Sequence, residues 1–167
     1  KRRRAGTENV AGIAGFGVAA RLALSDDAHM PELARLRDRL ETALRAAAPE
    51  LVVFGADVAR LSNTSLFAAS GLVSETLIVA LDLDGLAVSA GSACSSGKVT
   101  RSHVLAAMGV ADDLAGGAIR VSLGSGNTDA DIDKFVAGWS RYVARAREKT
   151  QHMKANATPP AFAEVEH

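Results

Sequence analysis

Leucines recur at Leu33, Leu36, Leu40 and Leu44, with arginines and acids between them. This spacing predicts an amphipathic helix over 30–50, apolar stripe on a core and charges on the other face. Pro31 suits its first turn. Upstream, the small and apolar residues from Val10 to Leu24 predict a closely packed helix, with Thr7 as the N-cap whose oxygen accepts a first-turn amide. From Leu51 the texture changes, and LVVFGA and SLFAAS read as short strands separated by a turn at Ser62 and Asn63. A helix over 74–85 follows, opened by Ser74 and closed by Gly85. LAVSAG is a strand that leads straight into GSACSSGK, and SHVLAAMG a short helix capped by Ser102. In GAIRVSLG, Ile119, Val121 and Leu123 alternate with Arg120 and Ser122, the period of a half-exposed strand with Arg120 pointing away from the apolar side. The last helix starts after Thr128. Asp129 and Asp131 suit its dipole, and Ile132, Phe135, Val136, Trp139 and Val143 form one stripe. After about residue 147 no period remains, and a flexible tail over 148–167 is expected.

The alternation of helix and strand signals predicts an α/β chain. With 167 residues, 48% of them hydrophobic, one compact domain with appendages is expected. Nineteen basic and nineteen acidic side chains cancel, which removes the electrostatic case for nucleic acid or an anionic membrane as partner; KRRR at 1–4 is a local run. No apolar run reaches the roughly 20 residues of a membrane span, and the start lacks a secretory pattern. The chain opens on Lys1 in a motif-like stretch, as if something upstream had been removed. A single cysteine cannot form an internal disulfide or a thiolate metal cage, which favours a reducing compartment, the cytoplasm.

Three places could carry chemistry. Cys94 lies among Ser89, Gly91, Ser92, Ser95, Ser96 and Gly97, a pliable context that favours exposure. Thiols react as thiolates, whose pKa of about 8.5 falls near cations such as Lys98 or a helix end. On context alone a reactive thiol and an incidental loop cysteine stand at even odds. Arg120 reads first as a solvated or ion-paired strand residue; its alternative is a bidentate clamp on a carboxylate. Thr7, in RAGTEN, reads first as a plain helix cap, and alternatively as part of a phosphate site at a helix N-terminus. His103, beside the cysteine loop, reads as a solvated first-turn residue rather than a base.

Taken together, RRRAGTENVAGIAGFG, LSNTSLFAASGLVSETLIVALDLDGLAVSAGSACSSG, SHVLAAMGV and GAIRVSLG resemble, in order and spacing, the C-terminal part of pyridoxal-phosphate-dependent cysteine desulfurases. The resemblance is to the branch serving nitrogen fixation and iron–sulfur cluster assembly, and covers residue 1 to about 145. It implies the C-terminal part of a fold-type I transferase: 1–25 the end of a large cofactor domain, 26–147 an α+β small domain with its linking helix and with helices on one face of a small, mostly antiparallel sheet, 148–167 the tail. It implies that Cys94 takes sulfur from L-cysteine as a persulfide, releasing L-alanine, that Arg120 grips the substrate carboxylate, and that Thr7 reaches the cofactor phosphate of the neighbouring subunit in a homodimer. An iron–sulfur scaffold or another acceptor protein would receive the sulfur. No metal ligand set is implied beyond a cluster shared through the Cys94 persulfide. The Schiff-base lysine, the ring-stacking histidine and the aspartate at the pyridine nitrogen belong to the region upstream. Pyridoxal 5'-phosphate is therefore expected in the full-length enzyme and not on this chain, and Lys98 is no substitute. The alternative is a persulfide-carrying or scaffold-binding module without desulfurase activity of its own.

Overall fold

The computed structural model describes residues 7–25, 29–91, 94–95, 98–99 and 102–156. In chain order the elements are α1 (Val10–Ser25), α2 (Met30–Ala47), β1 (Val52–Val53), β2 (Thr64–Ala68), α3 (Ser74–Leu83), β3 (Ser89–Ala90), β4 (Cys94–Ser95), β5 (Lys98–Val99), α4 (His103–Ala107), α5 (Asp112–Gly116), β6 (Ile119–Ser122) and α6 (Asp129–Asn156). Four strands form a sheet in the order β1-β2-β6-β3, every neighbouring pair antiparallel. Leu66 and Ser89 lie opposite Arg120, and Phe67 and Ala90 lie opposite Ile119. Side chains alternate across a sheet. Val53, Ser65, Phe67, Ile119 and Val121 therefore share one face, and Leu66, Ala68, Ser89, Arg120 and Ser122 the other.

On the first face lies the main core. Leu33, Leu36, Leu40 and Leu44 of α2, Leu77 and Leu81 of α3, and Ile132, Phe135, Trp139 and Val143 of α6 cluster with Phe67, Ile119 and Val121. Phe67 meets the rings of Phe135 and Trp139 edge-on, at 6.3 and 6.4 Å between centroids, the favourable quadrupole arrangement. The helices are not confined to that face. Leu105 of α4 and Ala115 of α5 cover Phe54, Ala68 and Ala118 at one end of the other face. Each of these five-residue helices buries a single side chain, too little for a period to be read, and α5 has no counterpart in the sequence expectations.

Helices α3 and α4 close in the same way. Gly85 and Gly109 take φ of +72° and +73°, and Leu86 N–H and Val110 N–H reach back to the carbonyls of Leu81 and Leu105. This is the glycine-terminated cap in which a left-handed residue satisfies the last carbonyls. At α6, Thr128 N–H donates to the Asp131 carboxylate at 2.8 Å, and this backbone bond, with that of the Thr128 hydroxyl, holds Asp131 below the usual carboxylate range.

Several expectations are corrected. Thr7 is not the cap of α1: Asn9, immediately before the helix, accepts Gly12 N–H at 3.0 Å, because an N-cap side chain reaches only two or three residues on. Ser74 is the first helical residue of α3, and Val73 holds the cap position with no side-chain bond. Helix α6 runs to Asn156 and not to about 147; EKTQHMKAN lacks an apolar stripe but contains good helix formers, and propensity carries an exposed helix where packing does not. Helix α1 is exposed along its length, Phe16 by 77% and Leu24 by 82%, so the close packing expected of it does not occur within this chain. Its composition sets what it can pack against and does not supply the partner.

Glu41, placed by its stripe among the outward charges, is instead 3% exposed. Arg60 donates to both its oxygens at 2.6 and 2.8 Å, and the Ser65 hydroxyl donates at 2.7 Å. A buried charge persists when paired and hydrogen-bonded, and these bonds fasten the 54–63 connection and β2 to α2. Burial pushes the Glu41 carboxyl up, but hydrogen bonds from Arg60 and Ser65 and the charges of Arg60 and Arg45 outweigh it and hold the carboxyl below its ordinary value. Folding therefore gains from ionised Glu41 above the unfolded pKa of about 4.3, and the gain is lost as pH falls toward the lower folded value. Acid titration followed by fluorescence of Trp139, the only tryptophan, is expected to show Glu41→Gln less stable than the parent at pH 7 by about 3 kcal/mol and less sensitive to acid below about pH 5. Parallel titration curves for the two proteins would sink this assignment.

Candidate functional site

Arg120 is held by its strand. Ile119 and Val121 are buried to either side, which forces Arg120 onto the opposite face, where it is exposed. Leu66 flanks it on β2 and Ser89 on β3. Arg35, Arg39, Arg60, Arg141 and Arg147 are all ion-paired, whereas the Arg120 side chain has no hydrogen bond or ion pair with a described residue. An unpaired guanidinium fork beside an apolar neighbour is equipped to receive a planar anion such as a carboxylate in two parallel hydrogen bonds.

Cys94 begins β4, which pairs with β5 in a small antiparallel ladder, Cys94 opposite Val99 and Ser95 opposite Lys98. The expected open loop thus contains a hairpin. Its approach is fixed by β3, whose Ser89 is opposite Arg120. Cys94 lies five positions after Ser89, so their Cα atoms are at most about 18 Å apart. On the far side, Ser102 is buried and its hydroxyl accepts Leu105 N–H at 3.3 Å, capping α4 as expected. The connection bearing the only thiol therefore leaves from and returns to the covered end of the face that displays Arg120.

Thr7 is exposed ahead of α1, and nothing in the described fold joins it to Arg120. His103 is exposed in the first turn of α4, as expected of a solvated residue. Lys98 enters through its backbone pairing with Ser95. Ser92, Ser96 and Gly97 lie outside the described residues, as does the KRRR run. A groove of about 340 Å³ between Glu50, Ser70 and Arg147 contains none of the candidate residues. Among the described residues no group of three His, Cys, Asp or Glu side chains could hold a metal, and no helix is long and apolar enough to cross a membrane. Sequence reasoning missed the Glu41–Arg60–Ser65 network and the tight approach of Gly91 to β6; for the first, the available signal was a glutamate next to Leu40 in the apolar stripe.

An antiparallel four-stranded sheet thus carries three helices on one face and, on the other, an arginine unpaired among the described residues, with the connection to a thiol-bearing hairpin at that face's covered end. Residues 1–135 match the aminotransferase class-V family, and the chain belongs to that family. A cysteine desulfurase of Sinorhizobium fredii is 43% identical over 147 residues, 87% of this chain and 38% of that protein. The cysteine desulfurase NifS of Azotobacter vinelandii is 39% identical over 155 residues, 92% and 39% of the two chains. The crystal structure of a NifS-like protein from Rickettsia africae superposes with a TM-score of 0.73 at 34% identity, over 83% of this chain and 36% of that one. The chain thus spans less than two-fifths of the length of these relatives.

Proposed function

We propose that this chain is the C-terminal part of a cysteine desulfurase that moves sulfur from L-cysteine to iron–sulfur cluster assembly. The observation that carries the reading is Arg120, unpaired among the described residues on an open face, one strand from the segment that leads to Cys94. Arg120 binds the substrate carboxylate in a fork. The Cys94 thiolate attacks the substrate sulfur: a sulfur–sulfur bond forms, the substrate carbon–sulfur bond breaks, and its electron pair stays on carbon, which takes a proton to give L-alanine. Cys94 is left as a persulfide, one sulfur richer, and hands that sulfur to a scaffold or other acceptor protein. The enzyme is a homodimer working in the cytoplasm.

The described residues do not by themselves gather a pyridoxal phosphate site. Arg120 stands on an open face, Thr7 on an exposed segment, and Lys134 on α6, the helix that packs on the other face of the sheet. Residues 1–25 would then close a large domain that holds the rest of the site, where bound pyridoxal phosphate would supply the electron sink for carbon–sulfur cleavage, and Thr7 would reach the cofactor phosphate of the neighbouring subunit. A large domain is also what the apolar surface of α1 would pack against.

The full-length protein with pyridoxal phosphate is expected to release alanine from L-cysteine and gain one sulfur on Cys94 by mass. The 167 residues alone, given the same cofactor, are expected to release none. Equal rates from the two would overturn the division of the site between domains, and persulfide on Cys94 of the short chain supplied only by another enzyme would favour a carrier module instead.

A further inference from the structure

Gly91 is the last described residue before the hairpin and lies one rung beyond the Ala90–Ile119 pair, opposite Ala118. Its N–H donates to the Ala118 carbonyl at 2.8 Å. A Cβ on residue 91 would stand 2.7 Å from the Ala118 Cβ, 3.3 Å from Leu105 Cδ1 and 3.4 Å from the Ala118 carbonyl oxygen. Directly opposed residues in an antiparallel pair normally keep their Cβ atoms about 4.5–5.5 Å apart. Strand β3 can therefore close on β6 at this rung only while residue 91 has no side chain. Ala118 cannot yield, since it is fully buried and its Cβ is fixed by the backbone entering β6. Leu105, also fully buried, touches the same point, and its N–H is the one capped by Ser102. Both ends of the 92–101 connection thus converge on a single contact, two residues along β6 from Arg120.

We propose that the Gly91–Ala118 contact is the seat of the Cys94 hairpin, and that Gly91 is a positioning residue that fixes where the hairpin departs relative to Arg120. The inference rests on the roles proposed above for Cys94 and Arg120 and adds a determinant of how one is delivered to the other. A methyl group at residue 91 forces β3 off β6 by an ångström or more and breaks the N–H bond to Ala118. The thiol is then offered to the substrate sulfur from a displaced origin while the carboxylate grip stays intact.

In the full-length enzyme, Gly91→Ala is expected to lower kcat for alanine release about a hundredfold, the scale of a misplacement of this size, with KM for L-cysteine unchanged. Gly91→Ala combined with Ala118→Gly removes the 2.7 Å clash and is expected to restore most of the rate. In the 167-residue chain, where Cys94 is the only thiol, Gly91→Ala is expected to speed alkylation by iodoacetamide several-fold, and the double substitution to reverse this. Rescue by Ala118→Gly is what general destabilisation would not give, because a glycine at 118, next to Gly117, loosens the backbone further. Parent-like kcat and alkylation in Gly91→Ala, or a loss that Ala118→Gly leaves in place, overturns the seat. Absence of alanine from the parent enzyme overturns the desulfurase reading instead, and the alkylation pair still decides the seat.

Discussion

Cys94→Ser in the full-length protein is expected to leave no persulfide on the protein and to abolish alanine release above background. Serine differs from cysteine by a single atom and the pairing of residue 94 with Val99 is made by the backbone, so the hairpin is retained and the cofactor still binds. What it removes is the nucleophile: a thiol near neutral pH is already a few per cent thiolate and intrinsically reactive, whereas a hydroxyl without an adjacent base is not. Intact mass after incubation with L-cysteine, together with the cofactor absorbance, separates the two properties. A Cys94→Ser protein that still gains a sulfur atom would place the acceptor elsewhere.

The second large effect is expected at Arg120. Truncation to alanine removes two charge-assisted hydrogen bonds to the substrate carboxylate, about 3 kcal/mol together, or about a hundredfold in kcat/KM. The carboxylate is present from binding through to product, so the loss is expected mainly as a rise in KM with kcat little changed, the signature of an interaction made equally in ground and transition states. Arg120→Lys keeps the charge but not the fork and is expected to recover only part of the affinity. The Arg120 side chain is exposed and unpaired within the described fold, so folding should be unaffected, and Trp139 fluorescence provides the control. If Arg120→Ala leaves KM for L-cysteine unchanged, the clamp is wrong.

Much of the fold was readable because burial and period coincide. The leucines of α2, the buried–exposed alternation of β6 and the stripe of α6 each report one buried face, and Arg120 was placed outward by the same alternation. What could not be read depends on partners distant in sequence. Glu41 is buried because Arg60 and Ser65, 19 and 24 residues away, reach it. Gly91 looks like one more loop glycine until Ala118 is set opposite it. Thr7 and Asn9 are both acceptable caps by type, and only the start of helical backbone at Val10 chooses between them. The motifs carried the family resemblance, but joining Arg120 to the cysteine hairpin needed the strand order.

That strand order also governs the sequence of events during synthesis. Strand β6 is the last to be made, yet it lies between β2 and β3, and no sheet wider than the β1–β2 pair can form before about residue 122 leaves the ribosome. Until then β3 has no edge to join, and the hairpin with the only thiol waits without its anchor. Such long-range pairing is slow to form and leaves strand edges open meanwhile. A nascent chain stalled before Ile119 would therefore expose its cysteine with none of the surroundings that give it selectivity, and completion of β6 is the moment at which that thiol becomes a placed one.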